Sequence, residues 1–160
     1  LFPKHFLIIA IIIGQLLNLI FALPILLALV YYYGKTPTLN WFISIPVLIV
    51  VQFAVTYGIA LIISMVNAFF RDMEHIINVC LSMLFWMTPI VYPLEAVPEK
   101  YQVYLALNPI TYLMQGWRDI FLNNKTNWHD IFISLITAML VLFVGSLIFK
   151  KLNIKLDGVL

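Results

Sequence analysis

Three stretches of the chain, Phe6 to Tyr33, Trp41 to Phe70 and Ile131 to Phe149, contain no Lys, Arg, Asp, Glu or His. A helix crosses the hydrocarbon core of a bilayer with roughly 20 apolar residues, and each stretch supplies about that many. A further apolar run, Ile76 to Tyr92, is shorter, with Pro89 near its end and Pro93 just beyond it. It can span where headgroups or protein cover its last turn. The segment Tyr101 to Leu122 differs in kind. It is uncharged as far as Trp117, yet it carries Gln102, Asn108, Thr111, Gln115 and Gly116, and Asn108-Pro109 cuts it in the middle. It is too polar and broken to span and too apolar for a free loop. The expectation is two short half-helices that dip into the outer leaflet and return. Broken backbone at membrane depth is tolerated only where protein or a water-filled cavity satisfies it, so this segment points to a pathway more strongly than any other.

The fold expected from this pattern is an all-α integral membrane bundle. Its four transmembrane helices cover about 6–33, 41–68, 76–92 and 131–149, and a re-entrant helical hairpin over 101–122 lies between the third and fourth. Gly34 to Asn40 is a short breaker-rich link that turns the second span back against the first. Arg71, Asp72, Glu74 and His75 crowd the end of the second, where the chain must reach water. Loops rich in Lys and Arg stay on the cytoplasmic side. Lys4 directly precedes the first span, and Lys150 and Lys151 directly follow the last, so both termini are expected in the cytoplasm. Lys35, Lys100, Arg118 and Lys125 then lie outside.

Composition agrees with a lipid solvent. Hydrophobic residues make up 64% of the 160 positions and charged ones 10%, with a mean hydropathy of +1.04, whereas soluble domains are about one quarter charged. The formal charge of +2 is scattered, with no basic cluster interleaved with stacking aromatics, so nucleic acid is set aside. Cys80 is the single cysteine, which excludes an intrachain disulfide; in its apolar run it is expected to be a small buried packing residue. The chain opens with Leu1, and its first apolar run is far longer than the core of a cleavable signal. One domain over 1–160, a fragment or processed product of something longer, is the expectation.

Polar residues inside the spans have first a structural reading. Gln15 with Asn18, and Gln52 with Thr56, share helical faces and suit interhelical hydrogen bonds worth about 1 kcal/mol or less. Ala54 with Gly58, and Ala60 with Ser64 and Ala68, put small residues four apart, which permits close helix contact. Asp72, Glu74 and His75 lack the further convergent ligands of a metal site; a solvated helix junction capped by Asp72 fits them better. There is no nucleophile elbow, zinc-protease motif or phosphate-binding loop. Any energy source is therefore a partner. No span carries the ionisable residue that ion-coupled transport ordinarily needs. Glu95, Glu99, Lys100, Arg118 and Asp119 are solvated loop charges or the rim of an exit pore. Trp and Tyr anchor at membrane interfaces, but their rings also stack on sugar faces; Trp86 and the tyrosines from Tyr101 to Tyr112 are the candidates for that role.

The order of features resembles the membrane subunit of ABC-2 type exporters, in particular the permeases for polysaccharides such as O-antigen, capsule and teichoic acid. The residues carrying the resemblance are Phe2-Pro3-Lys4 before a span, Phe70-Arg71-Asp72 after the next, Thr88-Pro89-Ile90-Val91-Tyr92-Pro93 at the end of the third, Asn108-Pro109, and Arg118 shortly after. Thr88 stands where many members have Ser, which keeps the hydroxyl. The resemblance implies that this chain is the last four of six spans, in the bacterial cytoplasmic membrane. It implies as partners a second copy of the permease, a pair of ABC ATPase subunits that bind ATP and Mg, and a lipid-linked glycan as substrate; the chain itself would hold no cofactor or metal and catalyse nothing. Trp86, Tyr92, Tyr101, Tyr104, Asn108, Pro109, Tyr112 and Arg118 are the residues expected along the substrate path, and Phe2, Pro3, Lys4, Arg71 and Asp72 those expected to face the ATPase. Export of a lipid or drug by the same fold, or a scaffold that transports nothing, are the alternatives.

Overall fold

The computed structural model describes residues 4–70 and 72–157. Its order is α1 (Lys4–Tyr32), α2 (Leu39–Phe69), α3 (Met73–Met87), a 3₁₀ turn (Leu94–Ala96), α4 (Glu99–Ala106), α5 (Pro109–Arg118), a π-helical turn (Asp119–Asn123) and α6 (Trp128–Asp157). There is no strand among the described residues. Three helices have the length and apolarity to cross a membrane: His5–Tyr32, Leu39–Phe69 and Trp128–Asn153.

The turn between α1 and α2 is built as its glycine predicts. Gly34 takes the left-handed conformation (φ 80°) just past the helix. Its N–H meets Tyr31 O at 2.9 Å and the Lys35 N–H meets Val30 O at 3.1 Å, a Schellman closure that satisfies carbonyls left open at the helix end.

The third helix is shorter than its apolar run. It stops at Met87, not Tyr92. Thr88 is extended (φ −101°, ψ 134°), its hydroxyl turns back to Leu84 O at 2.7 Å, and Pro89 has no N–H with which to continue the ladder. Fifteen residues rise about 22 Å, short of a hydrocarbon core of about 30 Å. Asp72 precedes α3 as expected, but its side chain makes no capping hydrogen bond. Cys80 is exposed on α3, contrary to the buried role expected of it. An apolar run in a membrane can face lipid instead of protein.

The most closely packed part of the molecule is α2 on α6, with α5 wedged beside them. Leu48, Val51, Val55, Leu113, Ile120 and Ala138 form one core cluster, joined by Val30 from α1. Leu61, Met65 and Phe149 form a second, which Ile8 of α1 touches. Between these clusters α2 and α6 cross at glycines. A Cβ added at Gly145 would lie 2.5 Å from Gly58 O, and one added at Gly58 would lie 2.8 Å from Leu142 N. The close approach anticipated at Gly58 is there. Its partner, Gly145, carries no local signal. By contrast α1 has most of its surface outward and α3 buries no residue, so much of the exposed apolar surface belongs to these two helices.

Candidate functional site

The expected break at Asn108-Pro109 separates α4 from α5, and local chemistry explains it. Asn108 is extended, its side-chain oxygen accepts from the Ile110 N–H at 3.1 Å, and Pro109 occupies the first turn, where a missing N–H costs nothing. The amide group of the same side chain donates to Thr88 Oγ1 at 2.8 Å. Thr88 is 1% exposed, and its one proton goes to Leu84 O, so its oxygen serves Asn108 only as an acceptor. Thr111 Oγ1 donates to Leu105 O at 2.8 Å and ties the two short helices together.

This arrangement makes Asn108 separable into a cap and a link. Thr88→Val should lower stability by about 1 kcal/mol, because the half-buried amide of Asn108 loses its acceptor, whereas Thr88→Ser should be close to neutral. Asn108→Asp keeps the cap but cannot donate, and should resemble Thr88→Val. Unfolding of the purified protein in detergent is the measurement; equal stability of the valine and serine variants would show the link to be inert.

Farther along α5 the side chains reach α2 and the segment after α3. Trp117 Nε1 donates to Gln52 Oε1 at 2.9 Å, the interhelical role expected of Gln52. Gly116 lets α5 approach Leu48, whose Cδ2 would stand 3.2 Å from an added Cβ. Trp117 stacks on Phe121 (5.8 Å, 13°), and Phe121 meets Trp41 edge-on (5.3 Å, 86°). Trp41 Nε1 then donates to Asn124 Oδ1 at 2.7 Å, and Ser44 and Thr126 share a 2.7 Å hydrogen bond. Asn124 adopts a left-handed backbone (φ 52°) and closes the π-helical turn. Gln15 and Asn18 instead bond weakly to each other, at 3.4 Å, on the exposed face of α1.

Arg118 occupies the centre of this assembly. Its guanidinium donates to Tyr92 O at 2.7 Å, binding the segment after α3 to α5. It also lines two adjoining cavities, with Leu122 as the other shared residue. The first, of about 490 Å³, is an apolar cleft of α1, α2 and α5, bounded by Leu19, Leu23, Ile90, Trp117 and Phe121, with Gln52. The second, of about 550 Å³, is the more polar of the two and presents Glu95, Gln115, Asp119, Asn127 and Asp130 beside Pro93, Leu94 and Leu122. Asp130 is 6% exposed and accepts from Asn127 at 2.9 Å, while the Asp119 carboxylate accepts from Asn123 at 2.8 Å.

Three expected path residues are linked, Tyr92 to Arg118 through its carbonyl and to Trp86 through its hydroxyl, which donates to Trp86 O at 3.0 Å, while Asn108 bonds to Thr88; of the eight, Arg118 alone lines either cavity. Trp86, Tyr101 and Tyr104 are exposed, Pro109 is exposed, Tyr112 is half-buried, and none of these five lines either cavity. Of the residues expected to face an ATPase, Phe2, Pro3 and Arg71 lie outside the described residues, Lys4 begins α1, and Asp72 is exposed. Nothing local marks Gln115 and Asn127 as lining one cavity, or Gln52 as facing Trp117, because each depends on a segment distant in the chain. No group of three or more His, Cys, Asp or Glu able to hold a metal occurs among the described residues.

The architecture is that of a multi-pass α-helical membrane protein in which a broken helix pair is pinned to a closely packed core. The chain belongs to the ABC-2 type transporter family, which it matches over residues 2–122. It is 31% identical over 159 residues to the O-antigen export system permease protein RfbA of Klebsiella pneumoniae, covering 99% of this chain and 61% of that protein. RfbA of Myxococcus xanthus is 32% identical over 127 residues, 78% of this chain and 48% of its own length. The polysialic acid transport protein KpsM of Escherichia coli is 31% identical over 62 residues, 39% of this chain and 24% of its own. The chain therefore spans about three fifths of the Klebsiella protein's length.

Proposed function

We propose that this chain is part of the membrane subunit of an ATP-driven exporter that moves a lipid-linked polysaccharide across the bacterial cytoplasmic membrane. The similarity to O-antigen export permeases along nearly the whole chain carries this reading. The adjoining apolar and polar cavities support it, since a substrate with a lipid anchor and a hydroxyl-rich chain needs both environments. Two copies would enclose the path, and two ABC ATPase subunits, holding ATP and Mg, would dock at the cytoplasmic side near Phe2, Pro3, Lys4, Arg71 and Asp72. Trp86, Tyr92, Tyr101, Tyr104 and Tyr112 would offer rings along the path, while Asn108, Pro109 and Arg118 hold its wall in shape.

The test is reconstitution of the full-length permease with its ATPase in proteoliposomes. A lipid-linked glycan should stimulate ATP hydrolysis and be carried across; stimulation by a lipid or drug alone, or no transport at all, would overturn the reading. Orientation is tested separately, with single cysteines in a Cys80→Ala background and an impermeant thiol reagent on intact cells. Positions 35, 99 and 125 should label from outside and position 151 should not. Labelling at 151 would overturn the placement of both termini in the cytoplasm.

A further inference from the structure

The polar cavity bounded by Glu95, Gln115, Arg118, Asp119, Asn127 and Asp130 has a composition that selects among glycans. Its volume, about 550 Å³, lies within the range of about 300–1,000 Å³ usual for small-molecule sites. One guanidinium stands against three carboxylates, a formal excess of two negative charges with His counted neutral, and one of the three, Asp130, lies 3.3 Å from Nδ1 of His129, which is exposed and outside the lining. Lys125, whose backbone N–H meets Asp119 O, is exposed and not part of the lining. An acidic ligand would meet like charge on several sides, and one N–H of its only guanidinium is already given to Tyr92 O. A divalent cation fares no better, since no three acidic groups among the described residues converge to hold one. Hydroxyl groups suit the polar part of the lining, and the C–H face of a sugar ring suits the remainder, Pro93, Leu94 and Leu122. Each hydroxyl both donates and accepts, carboxylates only accept, amides do both, and the guanidinium only donates.

We infer that this cavity is a subsite for a neutral, hydroxyl-rich sugar unit of the exported glycan, and that its carboxylates discriminate against acidic sugars. Arg118 and Leu122 line both this cavity and the apolar cleft, so a sugar seated here has its lipid-linked end directed toward an apolar neighbour. The inference rests on the export reading and adds to it a substrate class. It also separates this chain from a polysialic acid transporter, whose cargo is acidic at every unit.

The experiment uses the full-length permease with its ATPase in proteoliposomes and two lipid-linked oligosaccharides of equal length, one of neutral hexoses and one containing a uronic acid in each repeat. For the wild type, the neutral probe should half-maximally stimulate ATP hydrolysis at a concentration at least about tenfold lower than the acidic one. In the double variant Glu95→Gln and Asp119→Asn, which keeps the size of both side chains and the acceptor for Asn123, the two concentrations should come within about threefold. Thermal unfolding of the variant, compared with wild type, confirms that it is folded. Equal response of the wild type to both probes, or an unchanged ratio in a folded variant, would overturn the selectivity while leaving export standing. Silence of the wild type toward both probes would remove the export reading and this inference with it.

Discussion

Gly145→Leu should prevent the protein from reaching its folded state, and Gly145→Ala should destabilise it by about 2–3 kcal/mol. The reason is where the added atom goes. A Cβ at Gly145 would stand 2.5 Å from the carbonyl oxygen of Gly58, with Gly58 C and Cα at 3.3 and 3.4 Å. All three are backbone atoms, which cannot swing aside as the end of a side chain can. Either α2 and α6 separate along much of their length, or a helix distorts; both forfeit the packing of Leu61, Met65 and Phe149 on one side of the crossing and Val55 and Ala138 on the other. Gly58→Ala should behave alike, since its Cβ would meet Leu142 N and Val141 C, each at 2.8 Å. Gly14→Ala is the control, with nothing within 4 Å of its added Cβ, and should stay within about 0.5 kcal/mol of wild type. Reversible unfolding in mixed micelles measures all three. If Gly145→Ala were as stable as Gly14→Ala, the tight crossing would not exist in the membrane.

The second large effect is expected at Arg118. Arg118→Met removes the bond to Tyr92 O, worth about 1.5–3 kcal/mol for a charged donor, and the only cation in the lining of both cavities. On the proposed function, export by the full-length protein should fall at least about tenfold while assembly persists, because α5 remains fastened to α2 through Trp117, Gln52 and Gly116. Arg118→Lys should recover only part of the loss, since an ammonium on a flexible stem lacks the planar fork. Quantifying surface glycan beside permease abundance separates the two effects. Wild-type export from Arg118→Met would take this residue out of the path.

The break at Asn108-Pro109 was legible because its causes are local: a side chain that caps two residues on, and a ring that suits the first turn. The end of α3 was misplaced for a related reason. Hydropathy stays high through Ile90 and Val91, but the helix is ended by Pro89 and by the hydroxyl of Thr88, which hydropathy does not register. Burial was harder still. In lipid an apolar residue gains little by turning inward, so Cys80 and most of α3 face out, although the run from Ile76 to Met87 is as free of charge as α2. Gly145, the Trp41 contact with Asn124 and the Trp117 contact with Gln52 depend on segments far apart in the chain, and no periodicity within one helix reveals them.

That separation has a consequence for how the protein is made. Trp41 of α2 waits for Asn124, which is synthesised 83 residues later, and Gly58 waits longer for Gly145. At about 5–20 residues per second the ribosome takes about 4–17 s to supply the first of these partners. For that interval the face of α2 that will carry Ser44, Leu48 and Val51 inward lacks α5 and α6, the helices it packs against in the folded protein. Biogenesis therefore passes through a stage in which the inner surface of α2 is finished but unmatched, and this part of the protein commits to its tertiary structure only when α6 enters the bilayer.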